Sequence, residues 1–247
     1  MTPDQRRDAI VIQASSGNRL EVETLAGALG TSRETIRRDL ALLDRRGVLR
    51  RVHGGAMLGQ PAAMPQEGPF AVRMGRAVAA KRAIARHVAA GLRPGDSVFI
   101  DTGSTTLYLA EEISRLSGLI IITNSAEIAA QCQRGTGNSV VLIGGNFRAS
   151  GRETVGALAL AQIGQLRAAR AILTVAAVTA SGVYDIDAEE AEVARRMVQQ
   201  VDEVTVLADS TKLGCAGVYE VCPMKQVSVL VTDAVPALLR NAIEAAG

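Results

Sequence analysis

The chain has 247 residues, 48% of them apolar and only 2% aromatic, with no tryptophan and a formal net charge of +2. Its length fits two domains better than one, and any core must be aliphatic. No apolar run approaches the roughly 18 residues of a membrane span, and the opening "MTPDQRRDAI" lacks the apolar centre of a signal peptide, so a cytoplasmic protein with no membrane partner is expected. Cys132, Cys215 and Cys222 are odd in number and, with only His53 and His87 beside them, form no metal-ligand spacing. Three reduced thiols are expected, with no metal and no cofactor.

Charge is unevenly placed. Residues 1–58 hold ten arginines against seven acids, whereas residues 59–247 hold 17 basic against 18 acidic residues. Within 33–51 the excess sharpens to Arg33, Arg37, Arg38, Arg45, Arg46, Arg50 and Arg51 against Glu34, Asp39 and Asp44, which suits a polyanion. Thr2, Pro3 and Gln5 predict a capping box and a helix to about Ser15 that buries Ile10, Val11 and Ala14. "SSGN" breaks it, and a second short helix carries Val22, Leu25, Ala26 and Leu29, with Gly30 free to make the sharp turn after it. Thr31 or Ser32 caps a third helix in which Ile36, Leu40 and Leu43 share one face, leaving Arg33, Glu34, Thr35, Arg37 and Arg38 on others. Gly47 ends that helix, and "VLRRVHGGA" predicts a β-hairpin bearing Arg50 and Arg51.

Two helices, a recognition helix and a wing make the winged helix-turn-helix plan, in which the third helix enters the major groove. An arginine-rich helix on a plain three-helix bundle would carry the same charge, but not the turn and the wing. Scarce aromatics argue against readers of RNA or single strands, which stack bases on aromatic rings. Double-stranded DNA is the expected partner of residues 1–57.

Residues 58–70, with three prolines and no helical or strand period, predict an interdomain linker. Over 71–247 helices and continuous apolar strands alternate: "SVFI", "LIIIT", "SVVLI", "AILTV", "VTVLA" and "VSVLV" read as strands, with helices between them and one at the end. This is an α/β domain with a mostly parallel sheet covered on both faces. Ligands bind beyond the carboxyl ends of such strands, and those ends are polar here: Asp101 to Thr106, Thr123 to Ser125, Gly144 to Asn146, and Asp209 to Lys212. In "DTGSTT" a glycine and small hydroxyl residues run into a helix N-terminus, where free N–H groups can surround a phosphate; a plain capped turn would look much the same. No Walker A or G-x-G-x-x-G pattern follows, which argues against a nucleotide. Asp185, Asp187 and Glu190 cluster at a helix start, suited either to its dipole or to the hydroxyls of a polyol. Lys212, Arg148 and Arg152 are candidate phosphate cations.

"TSRETIRRDLALLDRRGVLRRVHGGA" resembles the N-terminal signature of the DeoR family of bacterial transcriptional regulators. The resemblance implies that Ser32, Glu34, Thr35, Arg37 and Arg38 lie on the recognition helix and that His53, Gly54 and Gly55 close the wing. "AAKRAIA", "DTGSTT", "ITNS", "LIGGNFR", "TVG" and "LADSTKLG" are similar, in order, to that family's sensor domain, whose fold is like ribose-5-phosphate isomerase and which binds phosphorylated sugars or related metabolites. It implies effector roles for Asp101, Thr102, Gly103, Ser104, Thr105, Asn124, Asp209 and Lys212. Thr106, Gly145, Arg152, Asp185 and Glu190 join them from the strand-end reading. The sequence departs from the family at "TVAAVTASG" and at Ala194, where a lysine is frequent, while "YDIDAEEAEVARRM" most resembles the glycerol-3-phosphate regulon repressors. The expected function is a DNA-binding repressor of a carbohydrate or polyol operon, relieved by a phosphorylated effector and acting as a dimer or tetramer. A sugar-phosphate isomerase-like enzyme would have no need of the N-terminal domain, and a ligand-free architectural DNA-binding protein would leave the polar strand ends unexplained.

Overall fold

The computed structural model describes residues 2–15, 20–45, 49–52, 54–58, 68–215, 217–235 and 237–244. Helix α1 (Pro3–Ser15) opens on the expected reciprocal cap: Thr2 N–H donates to Gln5 Oε1 at 2.9 Å, and Gln5 N–H to Thr2 Oγ1 at 3.3 Å. Strand β1 (Leu20–Glu21) leads into helix α2 (Val22–Ala28), and Gly30 turns the chain at φ 59°. Helix α3 (Arg33–Arg45) is capped by Ser32, not Thr31, since Ser32 Oγ accepts the Thr35 N–H at 3.1 Å.

Strands β2 (Leu49–Val52) and β3 (Gly55–Leu58) form the antiparallel wing, and β1 pairs with the free side of β3. The sequence shows the hairpin but not β1, because two residues carry no alternation to read. Gly55 lies where these strands cross, and a Cβ there would collide with the Leu20 carbonyl. Ile10, Ala14, Leu25, Ile36, Leu40, Leu43, Leu49 and Ala56 are buried together as the core of this unit. Asp39, itself buried, holds α1 against α3 by accepting from Arg6 Nε at 2.6 Å. His53, Gly47, the Val11 side chain and most of the "SSGN" break lie outside the described residues.

Residues 59–67 of the expected linker also lie outside them, while its two ends are structured: Leu58 closes β3 and buried Phe70 opens helix α4 (Phe70–Gly75). The alternation then runs through helix α5 (Val78–Gly91), strand β4 (Ser97–Ile100), helix α6 (Ser104–Ile113), strand β5 (Ile120–Thr123), helix α7 (Ala126–Cys132) and strand β6 (Ser139–Leu142). A hairpin of strands β7 (Asn146–Arg148) and β8 (Glu153–Val155) precedes helix α8 (Ala157–Ile163) and strand β9 (Arg170–Thr174). Strands β10 (Ala177–Val178) and β11 (Gly182–Asp185), helix α9 (Ala188–Val198), strands β12 (Glu203–Leu207), β13 (Tyr219–Pro223) and β14 (Val229–Val231), and helix α10 (Ala237–Glu244) complete the chain.

The main sheet has the order β14-β12-β9-β4-β5-β6, and every neighbouring pair is parallel. Alternate residues pack on opposite faces, as the pleat requires. Val98, Ile100, Ile121 and Ile172 join the buried cluster with α5, α6 and α7, and Phe99, Ile122, Ala171 and Leu173 join the cluster with α8 and α9. Strand β6 is an open edge on which Val141 and Leu142 are exposed. The chain begins in the middle with β4, builds outward to β6, then crosses back to β9 on the other side of β4. The strand order therefore reverses between β4 and β9, where an α/β sheet opens a crevice. Two short antiparallel pieces escape the sequence reading, the β7–β8 hairpin and the sheet β10-β11-β13, whose strands are two to five residues long.

Ile36 is fully buried in the helix-turn-helix unit. Ile36→Ala should destabilise that unit by about 2–5 kcal/mol. Calorimetry should then show the unit melting before the α/β unit, whose transition stays in place.

Candidate functional site

At the reversal point the buried carboxylate of Asp101, just past β4, accepts the Thr174 N–H at the end of β9 with both oxygens, at 3.0 and 3.1 Å. Thr174 Oγ1 donates to the Thr102 carbonyl at 3.2 Å. A Cβ on Gly103 would collide with that Thr174 hydroxyl, which is why the residue between Thr102 and the helix is a glycine. Helix α6 then starts at Ser104, and its first-turn N–H groups have no intrahelical acceptor.

Around this start lies a cavity of about 400 Å³. Its lining carries both signs of charge. Arg73, Arg76, Lys81 and Lys212 line it with Ser104, Thr105 and Asn124, and so do Asp101, Glu153, Asp185, Glu190 and Asp209. Lys81, only 4% exposed, donates from Nζ to Ser104 Oγ at 2.8 Å and to the Arg73 carbonyl at 2.6 Å. Asn124 is buried; its Nδ2 donates to Glu153 Oε2 at 3.4 Å and to the Thr154 carbonyl at 3.2 Å, while its Oδ1 meets no hydrogen-bond donor among the described residues.

The acidic side is held together by Arg148, which lies outside the cavity lining. Its guanidinium contacts Glu153 Oε1 and Glu190 Oε1, both at 2.6 Å, and Asp187 Oδ2 at 2.7 Å. Burial disfavours that charge, but the bonds to Asp187 and Glu153 and the charges of Glu153 and Glu190 keep it protonated far above the ordinary range. Burial, then the Glu190 charge, push Glu153 up to about 7 against the pull of Arg148. Burial raises Asp101 well above the usual carboxylate range despite the Thr174 N–H, and Asp185, Glu153 and Glu190 add to the rise.

Of the effector residues expected from sequence, Asp101, Thr102, Ser104, Thr105, Asn124, Asp185, Glu190, Asp209 and Lys212 line this one cavity. Gly103, Thr106, Gly145 and Arg152 do not. Thr106 Oγ1 donates to the Gly103 carbonyl at 3.1 Å and so braces the first turn of α6. Gly145, at φ 147°, passes so close to β8 that a Cβ would lie 2.7 Å from the Val155 carbonyl. Arg152 Nη1 pairs with Glu127 Oε1 at 2.6 Å, and its guanidinium lies 5.0 Å from the Phe70 ring centre.

Arg73, Arg76, Lys81, Glu153 and Thr174 were not singled out from sequence. Lys81 does carry a signal: with Ile84, Ala85 and Val88 it falls on the apolar stripe of α5, where a lysine is buried only for a reason. Glu153 has none, since a carboxylate in a polar loop gives no sign of its burial.

In the N-terminal unit Ser32, Arg33, Glu34, Arg37 and Arg38 are exposed along α3, and Thr35 is half-buried with its hydroxyl 2.8 Å from Ser32 Oγ. Arg33 contacts Glu23, and Arg38 Nε lies 3.3 Å from Glu34 Oε1. Arg50 and Arg51 stand on β2, with side chains outside the described residues, as is His53.

The profile described as "DeoR C terminal sensor domain" matches residues 76–234, and that described as "DeoR-like helix-turn-helix domain" matches residues 6–61. The chain belongs to the DeoR family. It is 31% identical over 249 residues to the HTH-type transcriptional regulator GlpR of Haloferax volcanii, covering 100% of this chain and 96% of that protein. It is 28% identical over 250 residues to the HTH-type transcriptional repressor GlcR of Bacillus subtilis, covering 99% and 96%. Among solved structures it is similar to ribose 5-phosphate isomerase A of Methanocaldococcus jannaschii, at 15% identity and TM-score 0.39, over 54% of this chain and 53% of that one. This DeoR-family chain is a transcriptional regulator with an N-terminal winged helix-turn-helix and an α/β sensor domain. Among its described residues no helix is long and apolar enough to cross a membrane.

Two outcomes test the cavity. Gly103→Ala should force Thr174 aside, strain the Asp101 contact and cost about 1–3 kcal/mol in denaturant unfolding. Glu153 binds its proton more tightly folded than unfolded, so its contribution to stability is present below the unfolded value near 4.5 and is lost as pH rises through about 7. Glu153→Gln should therefore flatten the fall in melting temperature between pH 5 and 8.

Proposed function

We propose that the protein represses a carbohydrate or polyol catabolic operon by binding double-stranded operator DNA, and that a phosphorylated sugar or polyol in the sensor cavity relieves the repression. The observation that carries the reading is the two-signed cavity at the start of α6. A phosphate suits Arg73, Arg76, Lys81 and Lys212, because charge-assisted bonds from cations and helix-start N–H groups are the strong ones. Hydroxyls suit the carboxylates of the lining, which accept hydrogen bonds. A volume of about 400 Å³ lies within the range of small-molecule sites and fits a small phosphorylated sugar or polyol.

The exposed row of Ser32, Arg33, Glu34, Arg37 and Arg38 is read as the groove-facing side of α3, with Thr35 at its margin and Arg50, Arg51 and His53 of the wing on the backbone. Operators of this kind carry paired half-sites, which favours a symmetric dimer or tetramer. We read the chain as a cytoplasmic regulator rather than an enzyme, since relatives matching it over nearly their whole length are named as regulators and repressors.

Arg37→Ala and Arg38→Ala should weaken operator binding while leaving the sensor domain folded. A base-reading arginine should cost about 1–3 kcal/mol and relax preference at one position, whereas a phosphate contact should weaken all sequences alike and lower the salt slope by about one. Parental affinity at several salt concentrations would show that α3 does not face DNA. Thr105→Glu places a carboxylate at the anion site, where the helix dipole tolerates it. The variant should bind operator but no longer release it on adding glycerol 3-phosphate or glucose 6-phosphate. Release at the parental concentration of the same compound would remove this loop from the effector site.

A further inference from the structure

Helix α4 is six residues long and is the first described element after the wing and the stretch 59–67. Its end is tied to the sensor domain by two side chains that donate to its last carbonyls. Lys81 Nζ reaches the Arg73 carbonyl at 2.6 Å, and Tyr108 Oη reaches the Met74 carbonyl at 3.0 Å. The Arg73 carbonyl also accepts the Arg76 N–H at 3.3 Å, and the two side-chain bonds complete the cap of a helix end whose carbonyls have no partner within the helix. Between α4 and α5, Ala77 sits at φ 51°, a region costly for any residue with a Cβ. Strain of this kind persists only where the surroundings hold it.

The ammonium that holds the Arg73 carbonyl also holds Ser104 Oγ at 2.8 Å, at the start of α6. Arg73 of α4 and the Arg76–Ala77 link after it line the cavity themselves, so part of its wall is the segment that follows the wing in the chain. We propose that Lys81 and Tyr108 couple the sensor cavity to the DNA-binding unit: Lys81 takes the effector's phosphate on the ammonium that fixes α4, and occupancy of the cavity thereby sets where α4 is seated. This rests on the phosphorylated-effector reading above. A dianion at the start of α6 is a stronger partner for Lys81 than a peptide carbonyl is. Its arrival weakens the Lys81 bond to Arg73, and the strained link at Ala77 lets α4 take a second position. The seat held by Lys81 and Tyr108 is the DNA-competent one.

Tyr108 does not line the cavity, so Tyr108→Phe and Lys81→Met separate the two roles. The experiment uses the full chain, glycerol 3-phosphate and glucose 6-phosphate as calorimetric probes, and a DNA duplex selected by the parent protein from a random pool. Losing the Tyr108 hydrogen bond should weaken duplex binding by about threefold to tenfold and, because coupling is reciprocal, tighten probe binding by a similar factor. Lys81→Met should weaken duplex binding too, but lower probe affinity at least about tenfold, since it removes a charge-assisted bond. The opposite signs on probe affinity are the signature. Parental binding of both duplex and probe by Tyr108→Phe, or of probe by Lys81→Met, overturns the proposal. A parent that binds neither probe overturns the effector reading, and with it the role of Lys81, whatever Tyr108→Phe does to the duplex. Should either variant fail to fold, hydrogen exchange over residues 70–76 of the parent decides: probe binding should speed it, and an unchanged rate overturns the coupling.

Discussion

Strands β4 and β9 lie side by side although Asp101 and Thr174, at their ends, are 73 residues apart in sequence, and the buried Asp101 carboxylate joins those ends by accepting one N–H with both oxygens. Everything chemical in the sensor domain hangs from that contact. It fixes the crevice where the strand order reverses, sets the direction in which Thr102 and Gly103 lead into α6, and brings a carboxylate within reach of three others. The arrangement is costly for the charge on Asp101, which burial and its acidic neighbours disfavour.

The cavity thus holds both groups that attract anions and a set of carboxylates. Arg148 lies behind the carboxylates and neutralises part of their charge without facing the cavity, its guanidinium shared among Glu153, Asp187 and Glu190. That leaves the acceptor oxygens in place while keeping them from repelling one another outright.

The helix-turn-helix was legible because each of its parts has a local signal: the reciprocal Thr2 and Gln5 cap, the Gly30 turn, the stripe of Ile36, Leu40 and Leu43, and the hairpin. In the α/β domain the six parallel strands were legible as continuous apolar runs, and their polar ends as a site. What could not be read was whatever depends on who pairs with whom. The order β9-β4, which makes the crevice, is a property of contacts 73 residues apart. The hairpin that delivers Glu153 and Arg148, and the small sheet that delivers Asp185, are too short for a period. Helix α4 had no signal of its own because six residues beside a proline give no period, and its first residue, Phe70, closed the expected linker, although Phe70 is buried and Arg73 lines the cavity. Gly145, read into the site from its strand end, and Arg152, read as a loop cation, meet the Val155 carbonyl and Glu127 and do not line the cavity.

Among the described residues, strand β6 leaves the main sheet with an unpaired edge and two exposed aliphatic side chains, Val141 and Leu142. Nothing of the usual kind blunts it: no lysine, no proline and no bulge stands in "SVVL". What limits it is brevity. The strand runs for four residues and stops ahead of Gly144 and Gly145, the latter at a positive φ that β-branched residues avoid. The end of the edge and the site are thereby linked. A residue with a Cβ at Gly145 that let the strand run on would press on the Val155 carbonyl of β8, the strand that also carries Glu153 into the cavity.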